Sequence, residues 1–318
     1  MKPIVTICPE DYPGTTSVLK HFNVAGNVEH TSEISPASIK GRDRVILGGW
    51  TGMYYEALRK IKTTGVPTSL FWTSSVGQTD FSNNGIEVSF LHLINDMVHS
   101  GLLDNVLCAT PSVQNMFQQF IPEDKVILLP YAFDWEEVQK FQIEDMPVGK
   151  DWVDLYCPGD TRKNILVQSH GAKIADVHLH YSGLRPKYRN FADLIKLRYA
   201  DMGWMDKTRY YKSVQTMKLG MQVTYAETFD YVVAEHFALK RPCLISTVMG
   251  QWVDKKLWKE LMVYNLDDPN EVADLIKGIM KKDDKEWKAL NTRCYNFMKK
   301  EATRRNEIAT KVLGELIG

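Results

Sequence analysis

The chain lacks an excess of charge of either sign: 39 Lys and Arg residues face 39 Asp and Glu residues over 318 positions, a formal net charge of +0. A protein whose main task is to grip a nucleic-acid backbone usually carries a basic excess, because phosphate neutralisation supplies most of the affinity. Nucleic acid is therefore not expected as a partner. One local basic stretch, "RPKYRNFADLIKLRYADMGWMDKTRYYK", interleaves Tyr with Lys and Arg. It reads either as solvated helix faces or as a surface for an acceptor or a membrane.

Cysteine is scarce as well. Cys8, Cys108, Cys157, Cys243 and Cys294 are odd in number, widely scattered and form no CxxC pair, so neither a zinc knuckle nor a disulfide framework is suggested. All but Cys294 lie in or beside apolar strand-like runs, where a free thiol packs as a small hydrophobe; a reducing, cytosolic setting fits. No run approaches the roughly 18 to 20 apolar residues needed to span a bilayer. "MKPIVTICPE" turns polar too soon for a signal-peptide core. A soluble, cytoplasmic protein is expected, with any membrane contact peripheral. There is no low-complexity tract and no Asp-x-Asp motif for a divalent ion.

What is present is apolar material for two cores, with 44% hydrophobic and 25% charged residues. Short β-rich runs alternate with helical stretches: "PIVTIC", "VILGG", "PTSLFW", "NVLCAT" and "KVILLP" are strands separated by helices such as "MYYEALRKIKTTG" and "EVSFLHLINDMVHSG". Strands spaced by crossover helices predict a parallel sheet. The pattern breaks in the polar stretch "WEEVQKFQIEDMPVGKDW" and restarts with "VDLYCPG", "VHLHYSG", "LGMQVTYA" and "RPCLIST". The expected fold class is α/β, with two Rossmann-like doubly wound domains over residues 1–148 and 149–318, facing across a cleft. The charged last helix is left the option of packing back on the N-terminal domain. Ligands of such sheets bind beyond the carboxyl ends of strands, where loops lead into helix N-termini.

The order of pieces resembles the retaining glycosyltransferases of the GT-B fold, specifically the large family 4-like group. "VLCATPSVQNMFQQFIPEDKVILLPYAFD" is similar to the end of that family's first domain, "YCPGDTRKNILVQSHGAK" to the phosphate-loop strand and helix, and "MVYNLDDPNEVADLIKGIM" to its closing strand and acidic-Pro turn. "YAETFDYVVAEHFALKRPCLIS" carries the signature of two glutamates eight positions apart, Glu227 and Glu235. The resemblance covers most of residues 105 to 280.

The spacing has a physical reading. A helix N-terminus presents unpartnered N–H groups and the positive end of its dipole, which suits a diphosphate. Eight helical residues rise about 12 Å and rotate about 80° past two full turns, so both carboxylates can address one elongated ligand. The helix is placed to begin near Thr228 to Asp230, and N–H groups near Thr228, Phe229 and Asp230 are candidates for the phosphates. An acidic helix start with Glu235 in solvent is the plainer alternative. By resemblance, Glu227 holds sugar hydroxyls and Glu235 the ribose. Lys163 falls where the family keeps a lysine that neutralises a departing phosphate oxygen. The family arginine five positions before it is replaced by Pro158, and Arg162 is the substitute candidate.

Other candidates carry less pattern. Gly14 and Thr15 in "CPEDYPGTTS" stand where the family has a glycine pair that approaches the donor or acceptor; they are donor-binding candidates if they form a close-approach loop, and the alternative is a plain Pro-Gly turn. Gly48, Gly49 and Gly52 are either turn chemistry or a backbone approach. Gly203 and Trp204 in "DMGWM" resemble the loop beside the donor nucleobase, unless Trp204 is a core residue. His92 reads as a helix-face residue. The resemblance implies a metal-independent transferase that needs no cofactor and moves a sugar from a nucleoside diphosphate sugar to a glycan, lipid or small-molecule hydroxyl, with retention. A sugar-nucleotide epimerase or hydrolase, and a non-catalytic sugar-nucleotide-binding protein, are the competing readings.

Overall fold

The structure, a computed structural model, describes residues 4–8, 13–49, 54–75, 78, 87–156, 161–249 and 253–318. Cys157, Pro158 and Gly52 lie outside the described residues. The chain divides into two compact units, residues 1–134 with 302–318, and residues 135–301.

In the first unit, strands β1 (Ile4–Ile7), β2 (Val28–Thr31), β3 (Val45–Gly48), β4 (Thr68–Trp72), β5 (Asn105–Cys108) and β6 (Val126–Leu128) form one sheet in the order β2-β1-β3-β4-β5-β6. Every pairing is parallel. Strands β1, β3 and β4 are buried along their whole length, which explains their unbroken apolar runs. Helices α1 (Pro13–His21), α2 (Pro36–Ile39), α3 (Tyr54–Lys62), α4 (Glu87–His99) and α5 (Pro111–Phe117) connect them. Leu58 and Ile61 of α3, Ile94 and Met97 of α4 and Phe117 of α5 close over the sheet in one core. Gly65 and Gly101, with φ of +72° each, sit just after α3 and α4, where a left-handed residue ends a helix without a Cβ penalty.

The second unit repeats the architecture. Strands β7 (Trp152–Tyr156), β8 (His178–Ser182), β9 (Tyr199–Asp201), β10 (Leu219–Gln222), β11 (Cys243–Ser246) and β12 (Met262–Val263) lie in the order β12-β11-β10-β7-β8-β9, again all parallel. The helices of this unit are α6 (Trp135–Gln139), α7 (Ile165–Ala175), α8 (Pro186–Leu194), α9 (Lys207–Thr216), α10 (Tyr231–Ala238), α11 (Lys255–Leu261) and α12 (Pro269–Met280). Helix α12 starts at an Asp268 cap whose carboxylate accepts the Asn270 N–H at 2.8 Å, with Pro269 in the first turn. The doubly wound α/β class expected from the alternation is present in both units.

Two features escape the hydrophobic pattern. Strand β2 is half exposed, so its residues read as a polar segment. Residues 13–21, read as a loop or a turn at Gly14, form helix α1 instead, with Pro13 supplying a fixed φ suited to a first helical turn.

The 32-residue helix α13 (Asp284–Glu315) ends the chain, and its last turns group with the first unit. Asn306 brackets the backbone of Phe133, accepting its N–H and donating to its carbonyl at 2.9 Å each. Arg44 donates to the Leu316 carbonyl at 2.8 Å. At the other junction, the contact division falls between Asp134 and Trp135, at the start of the polar stretch and earlier than the boundary after residue 148 expected from the sequence. Residues 135–148 are tied to the second unit: Gln139 donates to the Ala238 carbonyl at 2.9 Å, and the Gln215 side chain accepts the Ile143 N–H at 2.7 Å.

Helix α10 is seated on the sheet through a buried polar contact. His236 bonds through Nδ1 to the Val232 carbonyl at 2.8 Å, and its Nε2 lies 3.4 Å from an Asp154 carboxylate oxygen on β7. Gly220 of β10 makes the room, since a Cβ there would stand 2.4 Å from the His236 ring. Gly220→Ala is expected to destabilise the protein by roughly 1–3 kcal/mol through overpacking, measured by urea denaturation. A change below about 0.5 kcal/mol, the ordinary size for sites without such a clash, would show that the ring can move aside.

Candidate functional site

In the second sheet β7 is flanked by β8 on one side and β10 on the other, so the strand order reverses between β7 and β10. Open α/β sheets leave a crevice beyond the carboxyl ends of such a strand pair. The chain leaving β7 leads to Arg162 and Lys163, and the chain leaving β10 leads to Glu227, Asp230 and α10. The topology therefore brings together residues about 65 positions apart in sequence.

Arg162 and Lys163 close a short 3-10 turn (Thr161–Lys163) before α7. Although adjacent, they converge: each donates to the same oxygen, Oε1 of Glu227. Arg162 also donates to the Ala226 carbonyl at 3.1 Å, and its own carbonyl accepts the Tyr225 N–H at 2.8 Å, which ties the two loops together. The Lys163 side chain is only 5% exposed. Its ammonium donates further to Gln222 Oε1 at 3.0 Å and to Asp230 Oδ2 at 3.2 Å. Burying an ammonium without compensation is costly, and this set of acceptors supplies the compensation.

Burial opposes ionisation of Glu227, but the Lys163 ammonium and then the Arg162 guanidinium outweigh it, and its pKa falls below the ordinary value. Asp230 goes the other way: burial raises its pKa, Lys163 opposes that, and the neighbouring charge of Glu227 reinforces it. Asp230 also caps α10, its Oδ1 accepting the N–H groups of Val232 at 2.9 Å and Val233 at 3.3 Å.

This revises the geometry expected from the sequence. Helix α10 begins at Tyr231, with Asp230 as its cap, and Glu227 stands on the preceding loop. Helical rise and rotation therefore do not relate the two glutamates. Asp230 occupies the N–H groups of Val232 and Val233, and the buried loop residues Thr228 and Phe229 lie between it and Glu227 in sequence.

Glu235 lies one turn into α10, partly buried, and accepts the Tyr211 hydroxyl of α9 at 2.7 Å. Burial raises its pKa to about 7, against the opposing pull of the Tyr211 hydrogen bond and of Lys207. Trp204 is 65% exposed, so it is not a core residue. It leans on Tyr156 at the end of β7, with ring centroids 6.2 Å apart, and Tyr156 in turn packs against Tyr210 at 5.5 Å. Gly203 takes φ +65°, and its N–H donates to Asp201 at 3.0 Å. The Tyr210 and Tyr211 ring centroids lie 5.8 Å apart, so a run of aromatic contacts links Trp204 to the tyrosine that bonds Glu235.

The remaining candidates belong to the first unit. Gly14 is in the first turn of α1, and Thr15 follows it, partly exposed, against Gly48 and Gly49. A Cβ on Gly48 would meet the Leu19 side chain at 2.4 Å, so that glycine serves the packing of α1 on β3. His92 is on the exposed face of α4, as read from the sequence. Among the described residues, Cys8, Cys108, Cys243 and Cys294 are buried and in no disulfide. Among the described residues, no cluster of three His, Cys, Asp or Glu side chains could hold a metal ion, and no helix is long and apolar enough to cross a membrane.

Sequence reasoning missed Gln222 and Tyr211, and gave Asp230 only a backbone role. Asp230 had a signal, an acid immediately before an apolar helix, which is a cap pattern. Gln222 had a weaker one, a polar residue closing the apolar run "LGM". Tyr211 had none.

No protein-family model matches the chain, and no curated protein matches it. Its fold is that of the GT-B glycosyltransferases, with two parallel six-stranded sheets and flanking helices. Among solved structures it is similar to Anabaena HepE in complex with UDP and glucose, with a TM-score of 0.77 and 11% identity over 99% of this chain and 100% of that one. A Rickettsia africae glycosyltransferase matches with a TM-score of 0.67 and 12% identity over 99% and 98% of the two chains. Staphylococcus aureus TarM, in a complex that includes UDP, gives 0.66 and 12% over 88% of this chain and 56% of that one.

The raised Glu235 value has a sign that can be checked. Between the ordinary 4.5 and about 7, the folded protein retains a proton that the unfolded chain has released. Stability is therefore expected to fall as pH rises through that window. Glu235→Gln keeps an acceptor for Tyr211 and carries no charge, so it should lose that part of the slope in urea denaturation run at a series of pH values. Equal slopes in the two proteins would mean that the site does not raise the Glu235 pKa.

Proposed function

We propose that the protein is a glycosyltransferase that moves a sugar from a nucleoside diphosphate sugar to an acceptor hydroxyl, with retention of anomeric configuration. The observation that carries this reading is the convergence of Arg162 and Lys163 on one point beyond the carboxyl ends of the two switch-point strands. A buried ammonium and a partly buried guanidinium aimed at a single anion position, beside the loop into a helix N-terminus, form a place for a diphosphate. The likeness in fold to HepE, solved in complex with UDP-glucose, supports the same class of donor.

The donor then lies with its diphosphate at Arg162, Lys163 and the backbone of Thr228 and Phe229, its ribose hydroxyls on Glu235 and its base against Trp204 beside Gly203. Glu227 accepts hydrogen bonds from the sugar. In the transfer step the bond from the anomeric carbon to the diphosphate oxygen breaks, and its electron pair leaves with that oxygen. Lys163 and Arg162 stabilise the charge that develops there. The acceptor oxygen forms the new bond on the face being vacated and gives its proton to the departing phosphate oxygen. Glu227 positions the sugar and forms no covalent intermediate. No metal or cofactor enters this reading: the two cations and the helix end supply the positive charge. Gly14 and Thr15 remain candidates on the acceptor-side unit. The acceptor is a glycan, lipid or small-molecule hydroxyl, and the setting is cytoplasmic, with any membrane contact peripheral.

A thermal-shift screen of UDP-, GDP-, ADP- and TDP-sugars is expected to show a rise in Tm with one nucleotide class, because a ligand that binds only the folded state stabilises it. Glu235→Ala should abolish that rise. Lys163→Ala should lower turnover of the same donor by about 10²–10³, the usual loss when one group that stabilises developing charge is removed. Absence of any shift across the panel would overturn donor binding. Binding and interconversion without an acceptor would indicate epimerisation, and binding with no turnover a sugar-nucleotide-binding protein.

A further inference from the structure

An ammonium has three N–H donors. Those of Lys163 are met by Gln222 Oε1, Glu227 Oε1 and Asp230 Oδ2. No donor is left over for a phosphate, so a diphosphate arriving at this site must take the place of one acceptor.

The three acceptors are not equally held. Gln222 is fully buried on β10, and its amide nitrogen donates to the Tyr156 carbonyl of β7 at 3.2 Å, which fixes its oxygen toward Lys163. Asp230 is 2% exposed, and its second oxygen caps α10 through Val232 and Val233. Moving either strips a strand carbonyl or a helix terminus of its partner and leaves a buried polar group unsatisfied. Glu227 stands on the loop between β10 and α10, its side chain 9% exposed, and both cations reach it through one oxygen. It is the most accessible of the three acceptors, and its carboxylate bonds to side chains of the other loop rather than to a strand or a helix end.

Formal charge points the same way. Among the described residues, the two cations Arg162 and Lys163 are matched by the two carboxylates Glu227 and Asp230, so these four side chains carry no formal excess of positive charge. Positive charge becomes available to an incoming anion only when one carboxylate withdraws.

Building on the proposed function, we propose that Glu227 is a displaceable internal anion: phosphate oxygens of the donor replace its carboxylate on Lys163 and Arg162, while Gln222 and Asp230 stay as positioning residues for the ammonium. The displaced carboxylate is then available to accept hydrogen bonds from the sugar hydroxyls. Arrival of the diphosphate is thereby linked to recognition of the sugar, and the ligand-free site carries its own competitor. Apparent affinity for a bare nucleoside diphosphate is reduced by the fraction of molecules in which Glu227 still occupies the cations.

The test is isothermal titration of the wild type, Glu227→Gln and Gln222→Ala with UDP, GDP, ADP and TDP. The neutral amide competes weakly for the cations, so Glu227→Gln should bind the preferred nucleoside diphosphate more tightly, by about tenfold if the competitor holds the site in nine molecules of ten. Its turnover of the corresponding sugar should nevertheless fall, so that affinity and rate move in opposite directions. Gln222→Ala should bind the same nucleotide more weakly, since Lys163 loses its fixed partner. Thermal melts establish that each variant folds, and Glu227→Ala replaces the glutamine variant if that one does not. Nucleotide binding left unchanged or weakened by loss of the Glu227 charge overturns the exchange and leaves the donor site standing. Binding of none of the four nucleotides, by the wild type or the variants, removes the donor site and the exchange together.

Discussion

The site is organised around one constraint: a lysine ammonium has been taken out of water. Lys163 is buried, and an uncompensated charge in that position would cost several kcal/mol. Everything around it can be understood as compensation. Gln222 comes from the end of β10, Glu227 from the loop after it, and Asp230 from the cap of α10. Gln168 on α7 closes the far side, donating to the Lys163 carbonyl at 2.6 Å and accepting the Val223 N–H at 2.9 Å. Together with the Arg162 contacts to Ala226 and Tyr225, these bonds join the two loops beyond the switch point.

The same constraint shows which parts of the molecule were legible in the sequence. Both parallel sheets could be read because strands buried on both faces are continuous apolar runs, bounded by glycine and proline. Strand β2 and helix α1 could not, since each has an exposed face and a mixed composition. Lys163, Glu227 and Glu235 were legible through spacing and resemblance. Their partners were not, because a hydrogen bond across a switch point joins positions that sequence separates by dozens of residues. Tyr211 reaches Glu235 from a helix 24 positions upstream, and one tyrosine among the fourteen in the chain carries no mark of that contact.

One inference from spacing failed for an instructive reason. Treating Glu227 and Glu235 as two points on one helix made their separation an axial distance. In the structure only Glu235 is helical, because Asp230 caps α10 and everything before it is loop. An acid as cap leaves its helix end less open to an anion than Ser, Thr or Gly would, since its own charge already meets the dipole. The cations beside it therefore matter more than the helix dipole in making this end attractive to a phosphate.

The two glutamates of the motif finish in opposite electrostatic states. Lys163 and Arg162 hold Glu227 ionised in spite of its burial, whereas Glu235, with a tyrosine hydroxyl as its hydrogen-bond partner, titrates at about 7. A carboxylate held by two cations makes an anion position that a phosphate can take over. A carboxyl poised near neutrality can accept hydrogen bonds from neutral hydroxyls without a large standing charge beside the diphosphate. Were both glutamates fully charged and unpaired, the site would repel the anion it is proposed to bind. The division of labour between the two acids therefore follows from their neighbours, and it is the placement of Arg162 and Lys163 next to only one of them that sets it.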